Sequence, residues 1–156
     1  MACPYFHAVK PRTQTCGSRS AMLPLGDTWD GVCHAHPDAA WEPDEFTLRT
    51  LCNMGYARGC CGRFPADDGP DAARFTITRD SPETIGVYYV LERGHHPWAH
   101  GALEFSRAGA LLDQPLMDQP LLGQPFLGQP ASESTLRLAR AYVESYVRRI
   151  SEASLP

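Results

Sequence analysis

Cysteine stands at positions 3, 16, 33, 52, 60 and 61 of the 156-residue chain, and the last 95 residues have none. Thiolates bind zinc or iron in sets of four. Half of the six fall in the stretch Cys52–Pro65, which reads Cys-Asn-Met-Gly-Tyr-Ala-Arg-Gly-Cys-Cys-Gly-Arg-Phe-Pro. The intervals between successive cysteines are 12, 16, 18 and 7 residues up to Cys60, and no Cys-x-x-Cys occurs. Zinc ribbons and fingers pair their ligands across two to four residues. A scattered set suits a four-iron cluster better, because its cube is larger than a single ion and takes ligands from distant segments. The expected ligands are Cys3, Cys33, Cys52 and Cys60. Cys61 is the direct rival of Cys60, since neighbouring side chains in an extended loop point apart. His34, beside Cys33, could replace a thiol. Cys16 lies in a polar stretch, Thr-Gln-Thr-Cys-Gly-Ser-Arg-Ser, and is the odd one out. Cys3-Pro4 is also the dipeptide that ends ferredoxin-type cluster runs, although one dipeptide carries little weight.

The residues around these thiols fit the same chemistry. Gly55, Gly59 and Gly62 would let backbone N–H groups approach a cluster's sulfurs. Arg58 or Arg63 could offset its negative charge, and Tyr56, Phe64 and Trp29 could exclude water. Taken singly, each has a plainer role as a surface arginine or a small-core aromatic.

A second constellation, Glu92, His95, His96 and His100, surrounds Pro97-Trp98. Imidazoles and a carboxylate can bind a divalent ion or exchange protons, but loops between strands often collect such residues. There is no phosphate-binding Gly-Lys-Ser/Thr loop, no dinucleotide glycine fingerprint and no Gly-x-Ser-x-Gly elbow.

The elements that must position these residues follow in order. Residues 1–43 carry five prolines and read as irregular, with turns at Leu23–Asp27 and Trp29–His34. Asp44 can cap a short helix over about 44–54 that Gly55 closes. Residues 66–72 form a polar link. Three strands are predicted at Phe75–Thr78, Thr84–Arg93 and His100–Ser106, with a loop over 94–99. Residues 111–130 repeat Leu-Leu-Asp-Gln-Pro, Leu-Met-Asp-Gln-Pro, Leu-Leu-Gly-Gln-Pro and Phe-Leu-Gly-Gln-Pro. Proline at every fifth position forbids a helix or central strand, so the repeat reads as an expanded loop. Its alternative role is a sticky linear motif. Ser132 can cap a final helix whose apolar face holds Leu136, Ala139, Val143, Tyr146, Val147 and Ile150.

The expected fold is therefore α+β. An irregular, cysteine-rich metal-binding lobe over 1–65, with one short helix, precedes a second lobe over 73–156. That second lobe is a three-stranded antiparallel meander packed on an amphipathic C-terminal helix. Net charge is −4, with one lysine, Lys10, among fourteen basic residues and no basic block, which argues against a nucleic-acid partner. The N-terminus has no signal-peptide pattern and no apolar run is long enough to span a membrane, so a cytoplasmic location is expected. Reducing conditions there favour metal binding over disulfides. The first reading is an iron–sulfur protein serving electron transfer, redox sensing or structure, with a redox or protein partner. The second is a zinc-stabilised protein-interaction module. The third is an enzyme using Glu92, His95, His96 and His100.

Overall fold

The computed structural model describes residues 1–12, 23–36, 38–113 and 131–153. Mixed helix and sheet make the fold α+β, with two antiparallel sheets and a long C-terminal helix. The 1–43 region is more regular than its prolines suggest. Strand β1 (Phe6–Pro11) pairs with β2 (Trp29–Cys33), with Phe6 opposite Cys33 and a bulge between Ala8 and Lys10. The Trp29–His34 segment is thus mostly strand rather than turn. Its Gly31 is required there, because a Cβ would lie 2.2 Å from the His7 carbonyl oxygen and 2.6 Å from the Phe6 ring. Leu23–Asp27 does turn, with the Gly26 N–H donating to the Leu23 carbonyl at 2.8 Å.

The main sheet has four strands rather than three: β3 (Ala72–Asp80), β4 (Thr84–Arg93), β5 (His96–Ser106) and β6 (Leu111–Asp113), in that order. The predicted loop over 94–99 contracts to two residues. Arg93 pairs with His96, and Gly94 (φ +54°) with His95 (φ +66°) makes the turn. Two successive left-handed residues match the right-handed twist of the flanking strands. Residues Leu111–Asp113 of the repeat form β6, while 114–130 lie outside the described residues, as does Cys16.

Helix α1 (Glu45–Thr47) continues directly into a π-helical turn, Leu48–Cys52. Asp44 caps it by accepting from the Thr47 N–H at 2.9 Å, and Gly55 (φ +69°) closes it with its N–H on the Leu51 carbonyl at 2.8 Å. Helix α2 (Glu133–Ala153) starts on Ser132, whose Oγ accepts from the Thr135 N–H at 3.2 Å. It is buried more widely than a single apolar stripe implies. Leu138, Ala139, Ala141, Val143, Thr135 and Ser145 are all buried, because α2 packs on β1 as well as on β3 and β4. One hydrophobic cluster joins Ala2, Cys3, Phe6, Leu25, Trp29, Leu48 and Cys52 to Phe75, Ile85, Val87, Leu103, Phe105, Leu138 and Val143. A backbone bridge between Ala2 and Ala73, with both N–H···O distances 2.8 Å, ties the cysteine-bearing segments to β3.

Candidate metal centre

Cys3 and Cys33 are fixed by the backbone of other segments. The Cys3 N–H donates to the Cys52 carbonyl at 2.9 Å, which joins the chain start to the π turn. Cys33 ends β2 and exchanges two backbone hydrogen bonds with Trp41, at 2.7 and 3.1 Å. The N–H groups of Cys60 and Cys61 both donate to the Ala57 carbonyl, at 3.0 and 2.8 Å, so these two sit in a tight turn rather than an extended loop. Cys3, Cys33 and Cys52 are buried, Cys61 is half-buried and Cys60 is exposed. None of the five is in a disulfide.

The thiols of Cys3 and Cys52 share their electrostatic surroundings. Burial pushes the Cys3 thiol up to about 12, opposed by the backbone N–H groups of Tyr5 and Phe6 that point at its sulfur. Charge on Cys33 and Cys61 raises it further. Burial likewise pushes Cys52 up, with Cys3, Cys33 and Cys61 adding to the effect. Charge on Cys33 and Cys61 thus acts on both Cys3 and Cys52. Among the described residues, no three Cys, His, Asp or Glu side chains gather tightly enough to clasp a single metal ion.

The two N–H groups aimed at Cys3 come from the Cys3-Pro4-Tyr5-Phe6 turn, where sequence reasoning looked to glycines instead. The cue was the proline after the cysteine, which starts a turn in which the Phe6 N–H donates to the Cys3 carbonyl at 3.1 Å and the Tyr5 N–H acts most on the sulfur. Gly59 (φ +78°) serves the turn, and a Cβ on Gly59 or Gly62 would meet no atom within 4 Å. Arg58 is committed elsewhere: it pairs with Asp71 and donates to the carbonyls of Pro65, Asp67 and Gly69 at 3.1, 2.9 and 3.0 Å. Arg63 lies over the Trp41 ring, 4.5 Å from its centroid. Trp29 is buried under α2, with its indole N–H on Ser145 at 3.1 Å, and Phe64 meets Tyr5 edge to face at 5.2 Å. His34 stacks on His7 with ring centroids 3.9 Å apart, and His7 in turn reaches Ser134 at 2.7 Å.

Glu92, His95, His96 and His100 are dispersed. Glu92 is buried, and burial works to raise its carboxyl. Hydrogen bonds from the Tyr56 hydroxyl and the Arg74 guanidinium outweigh that and hold it below the carboxylate range. His95 covers the Tyr56 ring at 4.3 Å, His96 is exposed, and His100 bonds the Tyr88 hydroxyl at 2.6 Å. The hairpin tip thus meets Tyr56 through His95. Asp71 completes the junction by accepting from the Gly94 N–H at 2.7 Å as well as from Arg58. No helix among the described residues is long and apolar enough to cross a membrane.

The fold is α+β, with a four-stranded antiparallel sheet and a C-terminal helix, and Cys3 and Cys52 lie in its hydrophobic core. No family model, curated protein or solved structure matches the chain.

Proposed function

We propose that the chain holds a four-iron cluster on Cys3, Cys33, Cys52 and Cys61, with electron transfer, redox sensing or structural support as its role. What supports this reading is that Cys33, at the end of β2, and Cys61, in the 57–61 turn, both act on the buried thiols of Cys3 at the chain start and Cys52 in the π turn. Buried thiols with raised pKa values resist ionisation in one another's presence. A bound cation reverses that balance, and coordinating thiols are then deprotonated outright. The Tyr5 and Phe6 N–H groups aimed at Cys3 favour the same anionic form.

Spacing favours a cluster over zinc. Tetrahedral zinc with bonds of about 2.3 Å draws its sulfurs to within roughly 4 Å of one another. Among the described residues no three donors form a clasp of that kind, and the sequence has no Cys-x-x-Cys pair from which zinc sites are usually built. The test is anaerobic purification or reconstitution with iron and sulfide, followed by absorbance and by iron and sulfide analysis. Bound iron and sulfide near four each per chain, with visible absorbance, is the expected result. A colourless protein without iron ends the cluster reading, and one zinc per chain in its place moves the conclusion to a zinc-stabilised interaction module.

A further inference from the structure

Away from the cysteines, the turn after β5 and the middle of α2 enclose a cleft of about 520 Å³. Its walls are aliphatic, formed by Val143 and Val147 of α2 with Ala108 and Ala110 of the turn. Arg107, Arg140, Arg148 and Glu144 stand around it. Arg107 is held by Asp80 and by the Ser81 carbonyl at 3.1 Å. Arg148 is held by Asp27, whose other oxygen lies 3.8 Å from Arg149. Arg140 is exposed and makes no ion pair among the described residues. Three guanidinium groups and one carboxylate, Glu144, thus line the cleft, and Asp80 and Asp27 hold two of those guanidinium groups, which leaves Arg140 as the lining cation that no ion pair among the described residues holds.

We infer that this cleft binds a small organic anion: a carboxylate, sulfonate or phosphate carried on an aliphatic or aromatic body. The volume lies within the range of small-molecule sites. The apolar body would rest on Val147 and the two alanines. The charged end would lie at Arg140, whose planar fork of donors makes no ion pair among the described residues and can take two oxygens at once. Arg107 and Arg148 keep further N–H groups for the same end, because each spends only part of its fork on its carboxylate. This site is independent of the metal centre.

The probe is 8-anilino-1-naphthalenesulfonate, compared with its uncharged relative N-phenyl-1-naphthylamine. The sulfonate should bind saturably at one per chain, and the uncharged ring about tenfold more weakly, as a charge-assisted hydrogen bond predicts. Arg140→Ala should weaken the sulfonate about fivefold or more and leave the uncharged ring unmoved. Ala110→Trp should abolish binding of both. Ala110 is exposed, so the new ring fills the cleft without entering the core, and an unchanged circular dichroism spectrum verifies the fold. Absence of saturable binding, equal affinity for the two probes, or sulfonate binding unaffected by Ala110→Trp would each overturn the inference.

Discussion

Cys60 and Cys61 are adjacent thiols with opposite surroundings. Both N–H groups converge on the Ala57 carbonyl, and the resulting turn leaves Cys60 exposed while Cys61 adds to the charge felt by Cys3 and Cys52. Cys61→Ser should therefore lose at least half of the reconstituted iron, whereas Cys60→Ser should keep it; iron per chain after anaerobic reconstitution checks the pair. The reverse ranking would return the fourth position to Cys60. Residue order alone could not choose between them, because the choice depends on whether the local backbone is extended or turned. His7 supports a second prediction at this scale. Burial first, then the neighbouring charges of His34 and Arg137, lowers its pKa to about 4 from 6.5. Between those values the unfolded chain takes up a proton that the folded chain refuses, so stability rises with pH across this window and is lost as pH falls through it. Urea midpoints should drop between pH 6.5 and pH 4, and His7→Gln should flatten that slope. An unchanged slope in the variant would place the titrating group elsewhere.

Among the elements, the α1–π turn and the β4–β5 hairpin do most to place the site. The π turn presents Cys52, and the residue that seats it is Asn53, fully buried just beyond. Its Oδ1 accepts from the Trp29 N–H at 2.9 Å, and its Nδ2 donates to the Trp29 and Leu48 carbonyls at 3.1 and 2.9 Å. One side chain thus welds the helix end to β2. Asn53→Ala would strip the buried Trp29 N–H and carbonyl of their side-chain partner, while the Leu48 carbonyl keeps the backbone N–H of residue 53 at 3.0 Å, and should cost at least about 2 kcal/mol, measured by urea unfolding. A change within a few tenths would show that Asn53 is dispensable. The short helix, its Asp44 cap and its Gly55 stop were all legible, because capping and closure are local chemistry. The value of Asn53 was not, since its partners lie 24 residues away on β2. The hairpin divides in the same way. Strong β-branched and aromatic runs marked β4, but Pro97 hid the start of β5. Proline there removes a ladder donor, and the chain accommodates it next to a bulge between Leu91 and Glu92. At the tip, Gly94→Val should cost about 1–2 kcal/mol, because Val at φ +54° is strained. Thermal unfolding of the variant measures it, and an unaltered midpoint would contradict the left-handed turn.

At the scale of the molecule, the cysteine-bearing segments lean on the sheet and on α2 rather than standing apart. Cys3 and Cys52 belong to the same hydrophobic cluster as Leu138 and Val143, and the Ala2–Ala73 bridge, the Tyr56–Glu92 bond and the Arg58–Asp71 pair join the same two regions. The α+β class and the C-terminal helix were readable from periodicity. The joining was not, because it rests on α2 being buried on two sides, and Thr135 and Ser145 disguise the second side as polar. Ser145 is fully buried because it receives the Trp29 indole N–H and packs where a Cβ at Gly26 would come within 2.8 Å. A shared core predicts shared unfolding. Leu138 lies in the middle of α2, fully buried, and touches no cysteine in sequence. Leu138→Ala should cost about 2–5 kcal/mol through the cavity it leaves. In the metal-free protein it should lower, by the same shift in urea midpoint, both the helical circular dichroism and the protection of the buried thiols against a disulfide reagent. Thiols that become reactive at a lower urea concentration than the helix melts would show that the cysteine-bearing segments open on their own, independently of α2.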